Sequence, residues 1–312
     1  MMSSQAPLEL VTELATALRE EVLPELGGHA GREHAGAGAG GDVTFAIDER
    51  AESFMETFLA ERAPDVAFYS EDRGLVSPSG EPEWVLVVDP IDGTRPAMAG
   101  FEAACVSVAA APLGDGDPAF ADVRAGCIVE IKSGRAFVAE RGGGMQPALE
   151  LSANTDVSRM FWAYGLRGRP VRRAAEVLGE LIDSSSVGGG TFDLGSATYD
   201  MTRVVTGQLD AYIEPGSRMI ADIPGIREEF ERIGGGVVLN NSPYDLAAAV
   251  LICEEAGAIV TDAYGESLGP RKLLGSGADF QLSCVTACAR ELHARIIGEL
   301  DAGIERLAAA MG

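Results

Sequence analysis

The stretch that most constrains this chain is Trp84-Val85-Leu86-Val87-Val88-Asp89-Pro90-Ile91-Asp92-Gly93-Thr94, an uncharged run that ends in two carboxylates, a glycine and a hydroxyl. A short valine-rich run bounded by turn residues predicts a fully buried strand. Pro90 has no N–H to give to a ladder, so the strand is expected to stop at Asp89. Asp89 and Asp92 would then lie just past the strand's carboxyl end, where open α/β sheets collect ligands. Two acids this close, with no base between them, repel each other unless they share a cation. Oxygen donors of this kind suit a hard divalent ion, Mg²⁺ above all. Gly93 allows a backbone N–H to approach an anion, and Thr94 can orient a water. Asp, Pro and Gly are also ordinary turn residues. The buried strand before them and the threonine after them favour the metal.

The rest of the composition narrows the chemistry by exclusion. A chain of 312 residues with 46% hydrophobic and 23% charged residues has a globular profile and is long enough for two domains. No stretch reaches about 18 consecutive apolar residues, so no membrane span is expected. The segment Met1 to Glu21 carries acids instead of a basic leader, which points to the cytoplasm. The cysteines, Cys105, Cys127, Cys253, Cys284 and Cys288, contain no C-x-x-C pair. Cys284 and Cys288 fit one helical turn and read as buried packing residues. A formal charge of −24 argues against nucleic-acid backbone binding, which needs Lys and Arg to release counterions. Histidine is confined to His29, His34 and His293. A Ser-His-Asp triad or a His-rich zinc site has little to draw on, so the chemistry must run on carboxylates, hydroxyls and metal.

Leu8, Val11, Leu14, Leu18 and Val22 predict an amphipathic first helix. Gly27 to Gly41 reads as a flexible loop. Its Gly36-x-Gly38-x-x-Gly41 lacks the βαβ context of a dinucleotide site. Asp42–Ile47 reads as a strand ending in Asp48, which could also cap the helix that follows. Val66–Tyr69 is a strand running into Ser70-Glu71-Asp72-Arg73-Gly74. Ala103–Ala111 is a strand, and Ala125–Ile131 and Arg135–Glu140 form a hairpin. A soft boundary near residue 150 divides an N-terminal α+β metal-binding domain (1–150) from a C-terminal α/β domain (151–312) that completes the site. The second half opens with Leu151–Asn154, strand-like Met160–Tyr164 and helix Arg172–Leu181. Helix Ser196–Val205 and strand Asp210–Glu214 follow. Residues 215–241 form a mixed insertion. Ser242-Pro243-Tyr244-Asp245 then opens an alanine-rich helix, with Asp245 where a capping-box acid belongs. Ala258–Asp262 is a strand, and Leu292–Met311 is the terminal helix.

Taken together, the ordered motifs resemble the inositol monophosphatase family of Mg²⁺-dependent, lithium-sensitive phosphatases, a superfamily that includes fructose-1,6-bisphosphatases. The motifs are Asp42-Val43-Thr44 with Asp48, Ser70-Glu71-Asp72, Asp89-Pro90-Ile91-Asp92-Gly93-Thr94, Gly195-Ser196-Ala197, Tyr212-Ile213-Glu214 and Tyr244-Asp245-Leu246-Ala247-Ala248. The resemblance implies a layered α-β-α-β-α sandwich of the sugar-phosphatase type with two subdomains, and a homodimer. It implies that Glu71, Asp89 and the Ile91 carbonyl hold one Mg²⁺, that Asp89, Asp92 and Asp245 hold a second, and that a third sits near Glu71. Asp48 and Thr94 would orient the attacking water, with Glu71 counted among the catalytic residues. Gly93 and Thr94 would cradle phosphate, and Ser196, Ala197 and Glu214 would face the alcohol of a small phosphorylated substrate. Such a site supplies the charge neutralisation and in-line positioning that phosphoryl transfer needs.

Departures from the family pattern fall on the pocket. Arg95-Pro96 follows Thr94, Asp72 replaces a second Glu, Tyr244 replaces a Trp, and a long segment separates Glu214 from Asp245. Arg95 or Arg218 could bind a second phosphate bidentately, or each could pair with local acids. Inositol 1-phosphate, fructose 1,6-bisphosphate, a nucleotide 3′-phosphate and another sugar phosphate are therefore all open as substrates. A haloacid-dehalogenase reading fails on the D-x-x-D spacing and on Pro90. A metal-binding homologue without turnover is the remaining alternative.

Overall fold

The computed structural model describes residues 6–28, 34–37, 43–114 and 116–312. Helix α1 (Ala6–Val22) opens the chain, and a short ribbon pairs β1 (His34–Ala37) with β2 (Val43–Phe45) before helix α2 (Ala46–Arg62). A seven-stranded sheet follows. It contains β3 (Ala67–Ser70), β4 (Gly74–Val76), β5 (Trp84–Asp92), β6 (Cys105–Pro112), β7 (Ala125–Glu130), β8 (Ala136–Glu140) and β9 (Gly144–Gln146), in the order β4-β3-β5-β6-β7-β8-β9. Helix α3 (Thr94–Ala99) lies between β5 and β6. A five-stranded sheet is built from β10 (Phe161–Tyr164), β11 (Gly190–Phe192), β12 (Ala211–Glu214), β13 (Ile259–Thr261) and β14 (Cys284–Ala287), in the order β11-β10-β12-β14-β13. The remaining helices are α4 (Val171–Ser185), α5 (Ala197–Val205), α6 (Gly216–Asp222), α7 (Ile226–Ile233), α8 (Pro243–Glu255) and α9 (Arg290–Met311).

Alternation along β5 sorts the two faces of the first sheet. Leu86 and Val88 pack with Leu14, Leu18 and Met55 of α1 and α2, whereas Val85 and Val87 pack with Leu246, Val250 and Leu251 of α8. Helices α5 and α8 fill the space between the sheets, and α4 and α9 cover the far side of the second. The result is five layers, α-β-α-β-α, as the family resemblance implies. The alanine-rich composition of α8 follows from its place. A Cβ added at Gly126 of β7 would come within 3.3 Å of Ala248 Cα, so small residues are required where the helix crosses that strand.

Several local expectations need correction. Strand β5 does not end at Asp89 but runs on to Asp92, through a register irregularity described below. Part of the glycine-rich segment is a strand, β1, held by its ladder to β2. Asp42, Gly38 and Gly41 lie outside the described residues. Strand β2 ends at Phe45, and Asp48 is already in the first turn of α2. Leu151–Asn154 has no regular structure, and the 215–241 segment contains α6 and α7. Cys284 lies on a strand and Cys288 just beyond it; all the cysteines are buried and free. Among the described residues no helix is long and apolar enough to cross a membrane.

Candidate active site

The register of β5 against β6 explains how the two central acids meet. Asp89 pairs with Ser107 and Asp92 with Cys105, so β5 advances one residue more than its partner across that interval. Side chains alternate along a regular strand, which would send residues three apart to opposite faces; one extra residue returns Asp92 to the side of Asp89. Pro90 falls within the interruption, where no ladder bond is asked of it. Asp89, Asp92 and Asp245 consequently present carboxylate oxygens within 4.8 Å of one another.

Each acid is oriented by a separate element. Asp89 Oδ1 accepts the Ile91 N–H at 2.9 Å. Asp92 Oδ2 accepts the Ser196 hydroxyl at 2.8 Å and the Thr198 N–H at 2.6 Å, at the start of α5. Asp245 Oδ2 accepts the Ser242 N–H at 2.5 Å, so it serves as the capping acid of α8 while also facing the cluster. Burial raises all three pKa values, and repulsion from neighbouring acids adds to it at Asp89 and Asp245. Asp89 goes well above its ordinary value through burial and then the charges of Asp92, Glu71 and Asp245. Burial raises Asp92 against the hydrogen bonds from Thr198 and Ser196. Asp245 is pushed up to about 7 by burial and the charge of Asp92. Clustered, buried oxygens that resist ionisation without a counter-charge are the donor set a hard cation requires, so the residues fit a divalent metal.

Glu71 lines the same cleft, on the turn that joins β3 to β4. Thr94 Oγ1 lies 3.0 Å from Asp48 Oδ1 and 3.1 Å from the Ile91 carbonyl oxygen, with one proton to give to either. Asp48 Oδ2 accepts the Phe45 N–H at 2.9 Å, at the N-terminus of α2. Gly93 has φ +90°, and a Cβ there would sit 2.5 Å from the Ala103 carbonyl oxygen and 2.8 Å from Ser196 Cβ. Only glycine meets both demands.

On the alcohol side the arrangement differs from expectation. Ser196 and Ala197 line the cleft, but the Ser196 hydroxyl is engaged by Asp92 and by the N–H of Tyr199. Glu214 is fully buried, ion-paired with Arg169 and bonded to the Gly216 N–H at 2.7 Å; Arg169 lines the cleft in its place. Arg95 also lines the cleft, with its guanidinium 5.5 Å from the centre of the Phe45 ring. Arg218 belongs elsewhere, in a network with Asp222, Asp301 and the Ala263 carbonyl. Residues 167 and 193 escaped the sequence reading. Arg167 and Asp193 line the cleft of about 570 Å³, and the charge of Arg167 opposes the pKa rise at both Asp92 and Asp245. The sequence Arg167-Gly168-Arg169-Pro170 after a strand was the available signal.

The chain matches the model of the inositol monophosphatase family over residues 5–305. It belongs to that family. Among family relatives, a fructose-1,6-bisphosphatase/inositol-1-monophosphatase of Methanothermobacter thermautotrophicus is 27% identical over 304 residues, 94% of this chain and 95% of its own. An inositol-1-monophosphatase of Mycobacterium leprae is 30% identical over 231 residues, 70% of this chain and 68% of its own. A Nus factor SuhB of Vibrio cholerae is 25% identical over 72% of this chain and 73% of its own. The solved Thermotoga maritima inositol monophosphatase superposes with a TM-score of 0.69 at 18% identity, covering 96% of this chain and 98% of its own, and so shares the inositol monophosphatase fold. Inositol monophosphatase family phosphatases are metal-dependent and hydrolyse phosphate monoesters of small molecules.

Proposed function

We propose that this chain is a Mg²⁺-dependent phosphomonoesterase that hydrolyses a small sugar or polyol phosphate of the inositol 1-phosphate kind, using water as the nucleophile. The observation that carries the reading is the convergence of Asp89, Asp92 and Asp245 beside the Asp48–Thr94 pair. Glu71, Asp89 and the Ile91 carbonyl would hold one ion, Asp89, Asp92 and Asp245 a second, and Glu71 would serve a third. Such ions neutralise phosphate charge and bring the pKa of water towards neutrality. The chain's own part is positional. Once the Ile91 carbonyl is engaged, the Thr94 hydroxyl donates to Asp48 Oδ1 and keeps its lone pairs for a proton of water. Thr94 then takes that proton as Asp48 receives the one Thr94 releases. Gly93 and Thr94 would cradle the phosphate.

A bisphosphate substrate is the second reading, favoured by Arg167 and Arg169 at the alcohol side of the cleft. Guanidinium groups bind phosphate in a planar, two-bond fashion. The test for both is phosphate release from inositol, fructose, glycerol and nucleotide phosphates, with and without Mg²⁺, at low and high salt. Metal-dependent release with one clear favourite is expected. No release from any compound, with Mg²⁺ binding shown separately, would favour a metal-binding homologue without turnover.

A further inference from the structure

Helix α2 grips the turn that carries Glu71 along its whole length. Strand residue Ser70 pairs with Gly74, so Glu71, Asp72 and Arg73 form the turn between β3 and β4. On its outer side, Arg73 pairs with Glu49 at 2.7 Å and Glu56 at 2.9 Å. On its inner side is Glu52, a carboxylate only 1% exposed. Glu52 Oε2 accepts the Ser70 hydroxyl at 2.8 Å and Oε1 accepts the Asp72 N–H at 3.3 Å. The two bonds bracket Glu71, one on each neighbour. Asp48 and Glu52 are four residues apart on α2 and so share a helix face. Burying a carboxylate is costly, and the neighbouring Arg73 is engaged by Glu49 and Glu56.

We infer that Glu52 is a positioning residue for the metal centre: by holding Ser70 and Asp72 it fixes Glu71 against the Asp89 cluster and sets its distance from Asp48. This rests on Glu71 being a metal ligand. Groups that orient metal ligands from behind typically change affinity 10–100-fold when removed.

The experiment is a Mn²⁺ titration followed by loss of the free-ion electron paramagnetic resonance signal, with the melting point of each metal-free protein recorded alongside. Glu52→Ala is expected to bind Mn²⁺ roughly 10–100-fold more weakly. Glu52→Gln can still accept from the Asp72 N–H and donate to Ser70 Oγ, so its affinity should stay within roughly fivefold of the parent. Glu56→Gln, on the outer side, should leave affinity unchanged. Parental affinity in Glu52→Ala overturns the inference, and so does an equal loss in Glu52→Gln, which would assign the effect to charge and not to geometry. Should Glu52→Ala fail to fold, Ser70→Ala removes one of the two bonds and decides the matter: weaker Mn²⁺ binding supports the role and unchanged binding overturns it. Glu71→Gln in the same titration separates the two failures. Parental affinity there overturns the ligand reading of Glu71 itself, and with it the role of Glu52.

Discussion

The Ser196 hydroxyl donates to Asp92 Oδ2 at 2.8 Å while accepting the Tyr199 N–H at 3.0 Å, so one side chain caps α5 and aims a cluster acid. Asp92 comes from the first sheet and its orientation from the helix between the sheets. Ser196→Ala removes the cap and one bond to a charged group. We expect a loss of about 1–2 kcal/mol of stability, read by urea unfolding, together with a shift of the activity's Mg²⁺ titration to higher concentration.

Asp92→Asn separates charge from shape. The amide oxygen can still accept from Ser196 and Thr198, so the fold should survive. Loss of one buried negative charge relieves the repulsion that raises Asp89 and Asp245, and the metal-free variant should melt at or above the parent's temperature. Activity should fall by about a thousand-fold, the rate equivalent of several kcal/mol of metal-derived stabilisation. Full turnover at saturating Mg²⁺ would sink the assignment of Asp92.

The pH dependence follows from Asp245, whose folded pKa of about 7 stands above the ordinary 3.8. Asp89 and Asp92 are shifted in the same direction. Between about pH 4 and 7 the folded state therefore binds more protons than the unfolded one. Stability of the metal-free protein should fall as pH rises through that window. Metal must displace those protons, so its stabilising effect should grow from pH 5.5 to 8. Melting curves at stepped pH, with and without Mg²⁺, check both slopes. A metal-free protein that gains stability across the window would contradict the shifts.

Arg169 and Glu214 form a pair with side chains 7% and 0% exposed. Removing one partner of such a pair leaves a buried charge uncompensated. Arg169→Met should cost about 3 kcal/mol or more. Adding Glu214→Gln should recover part of that loss, because the amide keeps the Gly216 N–H as a donor without the charge. Denaturant unfolding of both variants gives the comparison; equal stability for the two would mean that the Glu214 charge is not what Arg169 offsets.

Legibility in the sequence followed the range of the forces involved. The buried strand through Val85–Val88, the acids beyond it and the helix opened by Ser242-Pro243 announce themselves in adjacent residues, and the structure has each of them. The continuation of β5 to Asp92 was hidden because the interruption is defined by β6, a partner that local pattern does not reveal. Arg167 and Asp193 went unassigned because their meeting in one cleft depends on the two halves of the chain coming together. Glu214 was legible as a family position, but not its burial behind Arg169, which depends on a side chain from another loop. Ser196 was recognised as a site residue, while its attachment to Asp92 crosses from one half of the chain to the other.

The extra residue between Asp89 and Asp92 makes chain length itself a determinant at this point. Deleting one residue there would restore an unbroken ladder, a gain in backbone pairing, and would leave both acids on one face, but it would remove or draw into the ladder the Ile91 backbone, whose N–H holds Asp89 and whose carbonyl faces Thr94. A shortened protein could therefore fold well and be inert. Libraries that vary residue identity around this strand can sample new pockets, whereas libraries that shorten it by one residue should return well-behaved proteins that keep the acids together and lose the backbone between them that orients Asp89 and Thr94.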